Sequence, residues 1–167
     1  MAHIVEVVKN TPISNLGESP IWHPEEKVLY WVDITGGKLH RCNVKTKESQ
    51  TFEMGCMIGT VVPANEKYAV LVALETGIYG LTSKGKLDKL SSFPENELQN
   101  NRFNDGKCDS AGRLWIGTMN KKVVRDAGNL YSFDGNKLSL KHSGITISNG
   151  MAWSNDSRIM YYIDTFE

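Results

Sequence analysis

A short design of strand, polar turn and basic residue recurs along this chain of 167 residues. Three clear copies occupy residues 18–27, 104–113 and 149–158, and a weaker copy occupies residues 58–67. The basic residues that end the copies are spaced by roughly forty-five residues, a period typical of the blades of a β-propeller. Because blades surround a common axis, we expect residues at equivalent positions of the copies to meet around that axis.

The rest of the pattern predicts an all-β protein. Runs of β-branched and aromatic residues alternate with short turn signals that contain glycine, asparagine or aspartate. Strands are predicted at residues 4–8, 28–34, 38–43, 68–74, 77–81, 114–118, 129–133 and 159–163. No window carries a sustained helical period, and residues 95–101 suit at most one helical turn.

The predicted organisation is the N-terminal portion of a single β-propeller domain. Residues 3–9 are expected to form a strand that closes the ring. Blades are predicted at approximately 16–56, 57–100 and 101–146, and residues 147–167 begin a further blade. Closed propellers usually contain about four to eight blades, so this chain is expected to be part of a larger ring.

Charge and cysteine content argue against several classes of function. The chain has 19 basic and 19 acidic residues, so no net field favours nucleic acid or an anionic membrane. No segment approaches the length of apolar sequence that a membrane-spanning helix needs. The cysteines Cys42, Cys56 and Cys108 are odd in number and lack C-x-x-C spacing, which favours free thiols in a reducing compartment. We therefore expect a cytoplasmic protein.

Three polar side chains occupy the same position in the three clear copies: Glu18, Asn104 and Asn149. Carboxylate and amide oxygens are the ligands that hard divalent cations accept, so their convergence predicts a metal site. The weaker copy has Ile58 at this position and would supply no ligand. The alternative is structural, because asparagine before glycine is common in turns and a lone glutamate is usually solvated.

Arg102 lies two residues before Asn104, and therefore on the same side of an extended chain. From there its guanidinium would reach a carboxylate, carbonyl or hydroxyl group of a substrate. A surface salt bridge is the alternative, and the pattern alone does not choose between them.

Several segments resemble the family of senescence marker protein (regucalcin), gluconolactonase and luciferin-regenerating enzyme. The matching segments are residues 16–22, 29–34, 101–107, 112–119, 147–154 and 160–165, in the family's order. The resemblance implies a six-bladed β-propeller, of which this chain covers roughly the first three and a half blades. It also implies a divalent cation near the mouth of the central channel and the hydrolysis of sugar lactones.

The resemblance also implies a role for each candidate residue. Glu18 and Asn149 correspond to metal ligands, and Arg102 and Asn104 correspond to residues that hold the substrate. The family's general base is an aspartate of a later blade, which this sequence does not contain, so its catalytic residue is unknown. Many relatives carry a carboxylate shortly after Gly-Thr-Met, whereas residues 120–122 here are Asn-Lys-Lys, which argues against a polyhydroxy substrate such as gluconolactone.

The expected function is that of a metal-dependent hydrolase of sugar lactones, a gluconolactonase-like carboxylic ester hydrolase. Calcium is the first candidate for the cation, with zinc, manganese and magnesium as alternatives. The expected partner is a small-molecule lactone, and without the late aspartate we expect the activity of this chain alone to be crippled. The alternatives are a calcium-binding or ligand-binding propeller without efficient catalysis, and a half-propeller completed by a second copy or a complementary chain.

Overall fold

The computed structural model describes residues 7–64 and 67–166, and within these residues fourteen strands form four antiparallel sheets. The first sheet contains β1 (Gly17–His23), β2 (Val28–Asp33), β3 (Lys38–Cys42) and β4 (Ser49–Glu53). The second contains β5 (Ile58–Pro63), β6 (Val70–Leu74), β7 (Gly77–Leu81) and β8 (Leu87–Ser92). The third contains β9 (Asn101–Cys108), β10 (Leu114–Asn120), β11 (Gly128–Phe133) and β12 (Leu138–Ile145), and the last pairs β13 (Ser148–Trp153) with β14 (Met160–Asp164).

The first strands of the four sheets lie side by side in the order β1, β5, β9 and β13. Each four-stranded sheet follows chain order, and β5 contacts both β1 and β9, while β9 also contacts β13. The repeated first strands therefore meet, as the sequence predicts for modules around an axis. The all-β class is confirmed, and within the described residues no helix has the length and apolarity needed to cross a membrane.

In the second and third sheets, the last strand is the least buried. In the second sheet, β5 and β6 are buried on both faces, whereas β8 alternates between half-buried and exposed residues. One apolar cluster fills the space between the first and second sheets, and another fills the space between the second and third. Removal of this apolar surface from water is the main force that holds the sheets together.

Part of the predicted organisation lies beyond what the structure describes. The predicted closing strand at 3–9 falls mostly on residues 1–6, which are outside the described residues, and residues 7–9 belong to no sheet. The division of the sheets into blades at 16–56, 57–100, 101–146 and 147–167 remains a prediction. The three cysteines are free thiols.

Gly59 allows β5 and β9 to approach each other closely. A Cβ atom at this position would lie 2.5 Å from the carbonyl oxygen of Phe103 and 2.7 Å from that of Asn104. Both contacts involve backbone atoms of a buried strand, which have no room to move aside. The weaker copy of the repeat therefore makes a close backbone contact at Gly59, directly after Ile58, the position at which the other copies carry a polar side chain.

We expect Gly59→Ala to destabilise the protein by about 1–3 kcal/mol, because the added methyl group forces β5 and β9 apart. Urea denaturation, read by intrinsic fluorescence, measures the change. Gly17→Ala is the matched control, since its Cβ would meet only the Ser14 side chain at 3.3 Å. Equal stability of the two variants would show that the strands do not need this contact.

Asp33 anchors the segment that leads into β1. Its carboxylate accepts backbone N–H groups of Asn15 at 2.9 Å, Leu16 at 3.0 Å and Gly36 at 3.1 Å. Asp164 anchors the segment that leads into β13 in the same way, because its carboxylate accepts the backbone N–H groups of Thr146 and Ile147. Burial raises the pKa of Asp33, but the three hydrogen bonds outweigh it and the net pKa lies below 3.8.

Asp33→Asn is expected to lower the free energy of unfolding by about 1–3 kcal/mol at pH 7, because charge-assisted hydrogen bonds are lost. The folded-state pKa is depressed, so the stabilisation is present above about pH 4 and disappears as the pH falls through that pKa. Urea denaturation at pH 7 and in acid should therefore show a difference between wild type and variant that shrinks on acidification. Glu95→Gln is the control, because Glu95 is exposed and its carboxylate accepts no hydrogen bond within the described residues. A pH-independent difference between wild type and Asp33→Asn would contradict this account of Asp33.

Candidate metal and substrate site

A cavity of about 200 Å³ lies where the first strands meet. Its lining includes all four residues that the sequence predicts for the site: Glu18, Arg102, Asn104 and Asn149. These residues belong to β1, β9 and β13, so three sheets contribute to one space. The convergence predicted from the repeat is therefore present in the structure.

A bulge interrupts each ladder between a first and a second strand at the cavity. The register shifts between Glu18 and Ile21 in β1, between Ile58 and Thr60 in β5, and between Asn149 and Met151 in β13. In β9 the shift falls on residues 104–105, opposite Gly117 of β10. Bulges change the direction of side chains and are frequent beside functional sites. Each copy of the repeat therefore has the same local backbone irregularity at the cavity.

The Glu18 carboxylate and the Asn149 amide oxygen are both free to bind a ligand. Glu18 is exposed and makes no hydrogen bond or ion pair with residues 7–64 or 67–166. Asn149 Nδ2 donates to Thr165 Oγ1 at 3.1 Å, and its Oδ1 accepts nothing from the same described residues. Thr165 thereby fixes the amide with its nitrogen engaged and its oxygen available.

Asn104 is already bound on both sides of its amide. It is only 8% exposed, its Oδ1 accepts a hydrogen bond from Arg102 Nη1 at 2.7 Å, and its Nδ2 donates to the Ser148 carbonyl oxygen at 2.7 Å. An amide oxygen has two lone pairs, so one remains for a further partner. This arrangement favours a role in holding Arg102 and substrate over a role as principal metal ligand.

Arg102 is a half-buried cation that no carboxylate neutralises directly. Its Nη1 also donates to the Phe103 carbonyl oxygen at 3.0 Å, and it forms no ion pair with the part of the chain that the structure describes. Burial lowers the pKa of Arg102, and the negative charge of Glu75 partly offsets this effect. A half-buried guanidinium with unused donors is suited to an anionic or strongly polar ligand.

The beginning of β9, which presents Arg102 and Asn104, is held by the buried carboxylate of Glu97. Glu97 is 5% exposed and accepts hydrogen bonds from Asn101 Nδ2 at 2.6 Å and from Asn129 Nδ2 at 2.9 Å, as well as from the hydroxyl groups of Thr118 and Tyr131. All its oxygens are used within the third sheet. Glu97 therefore has a structural role beside the site and is not a further ligand.

The oxygens in the cavity fit a hard divalent cation. Glu18 supplies a free carboxylate and Asn149 a free amide oxygen, the two ligand types that calcium accepts. Among the described residues no group of three or more His, Cys, Asp and Glu side chains is arranged to bind a metal. A cation here would thus rely on this mixed pair, with water, substrate or further groups completing its six to eight oxygen ligands.

Asp105 is a residue at the cavity that the repeat argument did not single out. It lines the cavity and also a second one of about 270 Å³, and both cavities share Glu18 and Ser19. Burial raises the pKa of Asp105 above its usual value. Hydrogen bonds from Gly106 N–H at 2.8 Å and from Ser19 Oγ at 3.5 Å offset this effect only in part. Asp105 directly follows Asn104 in the sequence. The bulge in β9 allows the side chains of both neighbours to line the same cavity.

Repeated antiparallel sheets with bulged first strands around a polar cavity define a protein of the β-propeller class. The chain belongs to the SMP-30/gluconolactonase/LRE-like family, whose model matches residues 16–167. It is 36% identical over 157 residues to 6-deoxy-6-sulfogluconolactonase of Pseudomonas putida, which covers 91% of this chain and 52% of that protein. It is also 36% identical over 156 residues to regucalcin of Danio rerio, again covering 91% of this chain and 52% of that protein.

The same likeness appears in three dimensions. The structure matches that of regucalcin from Agrobacterium tumefaciens, described as a calcium-binding protein, with a TM-score of 0.88 and 28% sequence identity. The match covers 96% of this chain and 54% of that protein. The chain thus spans about half the length of each of these relatives, and the predicted partial propeller is confirmed as its fold class.

Proposed function

We propose that this chain forms the metal-binding and substrate-binding half of a lactonase that acts on sugar lactones with the help of a divalent cation. The observation that carries the proposal is the shared cavity, which gathers a free carboxylate, a free amide oxygen and a half-buried guanidinium. The lactonase name of a relative that is 36% identical adds support for the class of reaction. Calcium is the first candidate for the cation, because oxygen ligands and a calcium-binding relative both favour it.

Glu18 and Asn149 would hold the cation, which supplies Lewis acidity toward the lactone carbonyl and toward water. Arg102 would orient the lactone through its unused N–H donors and offset negative charge that develops on oxygen. Asn104 keeps Arg102 in place through the 2.7 Å hydrogen bond between its Oδ1 and Nη1. The family resemblance assigns proton removal from water to an aspartate of a later blade, and no residue of this chain is proposed for that step.

A binding protein without efficient catalysis is the second candidate. Of the two proposed metal ligands, Glu18 and Asn149, only Glu18 carries a charge. One structural relative, the regucalcin of Agrobacterium tumefaciens, is described as a calcium-binding protein. In that case the cation would stabilise the ring and Arg102 would hold a small anionic or polar ligand. Turnover in the presence of the cation separates this candidate from the first.

Completion of the ring by another polypeptide is the third candidate. One face of β14 is apolar and open to solvent, with Tyr161 and Ile163 each more than half exposed, and Ile159 directly before the strand is exposed to the same extent. β14 pairs only with β13 among the described strands, so an edge is available for further strands. Either a second copy or a complementary chain would cover this face, with a lactone as the small-molecule partner at the axis.

The test is a pH-stat assay of several aldonolactones with added calcium, manganese or zinc, with the solution mass measured on the same sample. With the natural polypeptide, later blades included, we expect acid release above the spontaneous rate only when a divalent cation is present, and with residues 1–167 alone we expect little or none. Cation-dependent melting without any hydrolysis would replace this proposal by the binding function. A well-folded monomer would contradict completion of the ring by another copy.

A further inference from the structure

A bridge of two hydroxyl groups links the first three sheets beside the cavity that Ser19 lines. Ser19 Oγ lies 2.9 Å from Thr60 Oγ1, and Thr60 Oγ1 donates a hydrogen bond to the Gly106 carbonyl oxygen at 3.2 Å. Ser19 belongs to β1, Thr60 to β5 and Gly106 to β9. One side chain of the second sheet is therefore attached to the first strands of both neighbouring sheets.

Thr60, the centre of this bridge, is enclosed and held on both of its branches. It is 1% exposed. A Cβ atom at position 106 would lie 3.1 Å from Thr60 Cγ2, so glycine at this position leaves room for the threonine methyl group. Since the one proton of the Thr60 hydroxyl goes to Gly106, Thr60 accepts the proton of Ser19. The contact between Ser19 Oγ and Asp105 Oδ1 is longer, at 3.5 Å.

Ser19 is the point at which β1 departs from regular strand geometry. It directly follows Glu18, inside the bulge between Glu18 and Ile21, and its φ of 49° lies in the left-handed region. That conformation is uncommon for a residue other than glycine, and the hydrogen bond to Thr60 stabilises it. Because Glu18 and Ser19 share one peptide unit, an anchored Ser19 restricts the direction of the Glu18 side chain.

The second sheet carries Ile58 at the position where the other sheets carry a candidate polar residue, so it supplies no candidate ligand there. Thr60 lies two residues after Ile58, and its acceptor Gly106 directly follows the bulge of β9 at residues 104–105. Ser19 lies within the bulge of β1. Thr60 thus holds the bulged segments of both neighbouring sheets in a fixed relation to each other.

We propose that Thr60 and Ser19 are positioning residues of the cation site, and that their shared hydrogen bond holds the Glu18 carboxylate in the direction that binds the cation. The proposal rests on the divalent cation of the function proposed above. Within the described residues the Glu18 carboxylate has no hydrogen-bond partner, so its direction depends on the backbone that carries it. Loss of a group that only supports a metal ligand commonly costs about 10-fold to 100-fold in affinity.

Calorimetric titration of the natural polypeptide with calcium tests this proposal, with the melting temperature of each variant measured in the absence of calcium. Thr60→Val keeps the shape of the buried side chain but removes its hydroxyl, and we expect the Kd for calcium to rise about tenfold or more. Ser19→Gly accepts the left-handed backbone and loses the same hydrogen bond, so it should raise the Kd in the same direction. Thr60→Ser keeps the hydroxyl and should bind calcium as the wild type does.

Thr51→Val is the matched control. It removes a hydroxyl that lies 2.9 Å from His40 Nδ1, in the last strand of the first sheet and outside the cavity, and should leave the calcium affinity unaltered. Lower melting temperatures of Thr60→Val and Ser19→Gly with an unchanged Kd would show a purely structural bridge and overturn the proposal. Equal affinities of Thr60→Val and Thr60→Ser would overturn it as well, since the hydroxyl would then have no part in calcium binding. A wild-type protein that binds no calcium would instead overturn the calcium site of the proposed function, and this proposal with it.

Discussion

Glu18→Gln is expected to weaken the binding of calcium by about 100-fold or more. Changes to groups that merely support metal ligands commonly cost 10-fold to 100-fold in affinity, and this change removes the charge of a direct ligand. The glutamine keeps the size and one carbonyl oxygen of the side chain, so the fold should remain intact. Because Glu18 is exposed and has no partner in the described part of the chain, no other interaction is lost. Isothermal titration calorimetry with calcium measures the change.

Glu25→Gln provides the control for this titration. Glu25 is an exposed residue of the turn between β1 and β2, outside the cavity, and carries the same side chain. We expect its calcium affinity to equal that of the wild type. If Glu18→Gln and Glu25→Gln bind calcium equally well, the assignment of Glu18 as a ligand is wrong.

Arg102→Lys is expected to lower kcat/KM for lactone hydrolysis by about 100-fold or more, the usual effect of losing one donor to developing negative charge. Lysine keeps the positive charge but lacks the planar fork of donors. Arg102 uses one end of that fork on Phe103 and Asn104 and leaves the other end for substrate. A single ammonium group cannot hold the Phe103 and Asn104 oxygens and bind the substrate at the same time. Steady-state kinetics, with kcat and KM resolved separately, measures the change.

Arg158→Lys serves as the control for Arg102→Lys. Arg158 closes the last copy of the repeat, is exposed, and lies outside the cavity. Melting temperatures should confirm that both variants fold, since the Arg102 variant also loses hydrogen bonds. A kcat/KM for Arg102→Lys within about twofold of the wild-type value would rule out a direct role of the fork.

The strand pattern was accessible from the sequence because it depends on local signals. The prediction of a strand at 77–81 coincides with β7, and the prediction at 28–34 differs from β2 by one residue. The convergence of Glu18, Asn104 and Asn149 followed from the repeat, because equivalent positions of stacked modules lie at equivalent places around an axis. Periodicity therefore placed the candidate residues, although it could not assign them roles.

Features that depend on contacts between distant segments were not accessible in this way. The pair of Glu75 and Lys121 joins the second and third sheets, and no local pattern reports which charges meet across them. The close approach at Gly59 likewise depends on how β5 packs against β9. The repeat predicts one cavity residue for each copy and therefore does not identify Asp105, because the bulge in β9 brings both Asn104 and Asp105 to the cavity.

We propose that Glu18 of the first sheet and Asn149 of the last hold one cation between them. Anomalous X-ray scattering from crystals grown with Mn²⁺ tests it directly, because manganese accepts the same oxygen ligands and its position is observed independently of activity. We predict a peak in the cavity within bonding distance of the Glu18 carboxylate and Asn149 Oδ1. A manganese peak elsewhere, or an empty cavity at saturating Mn²⁺, would contradict the account.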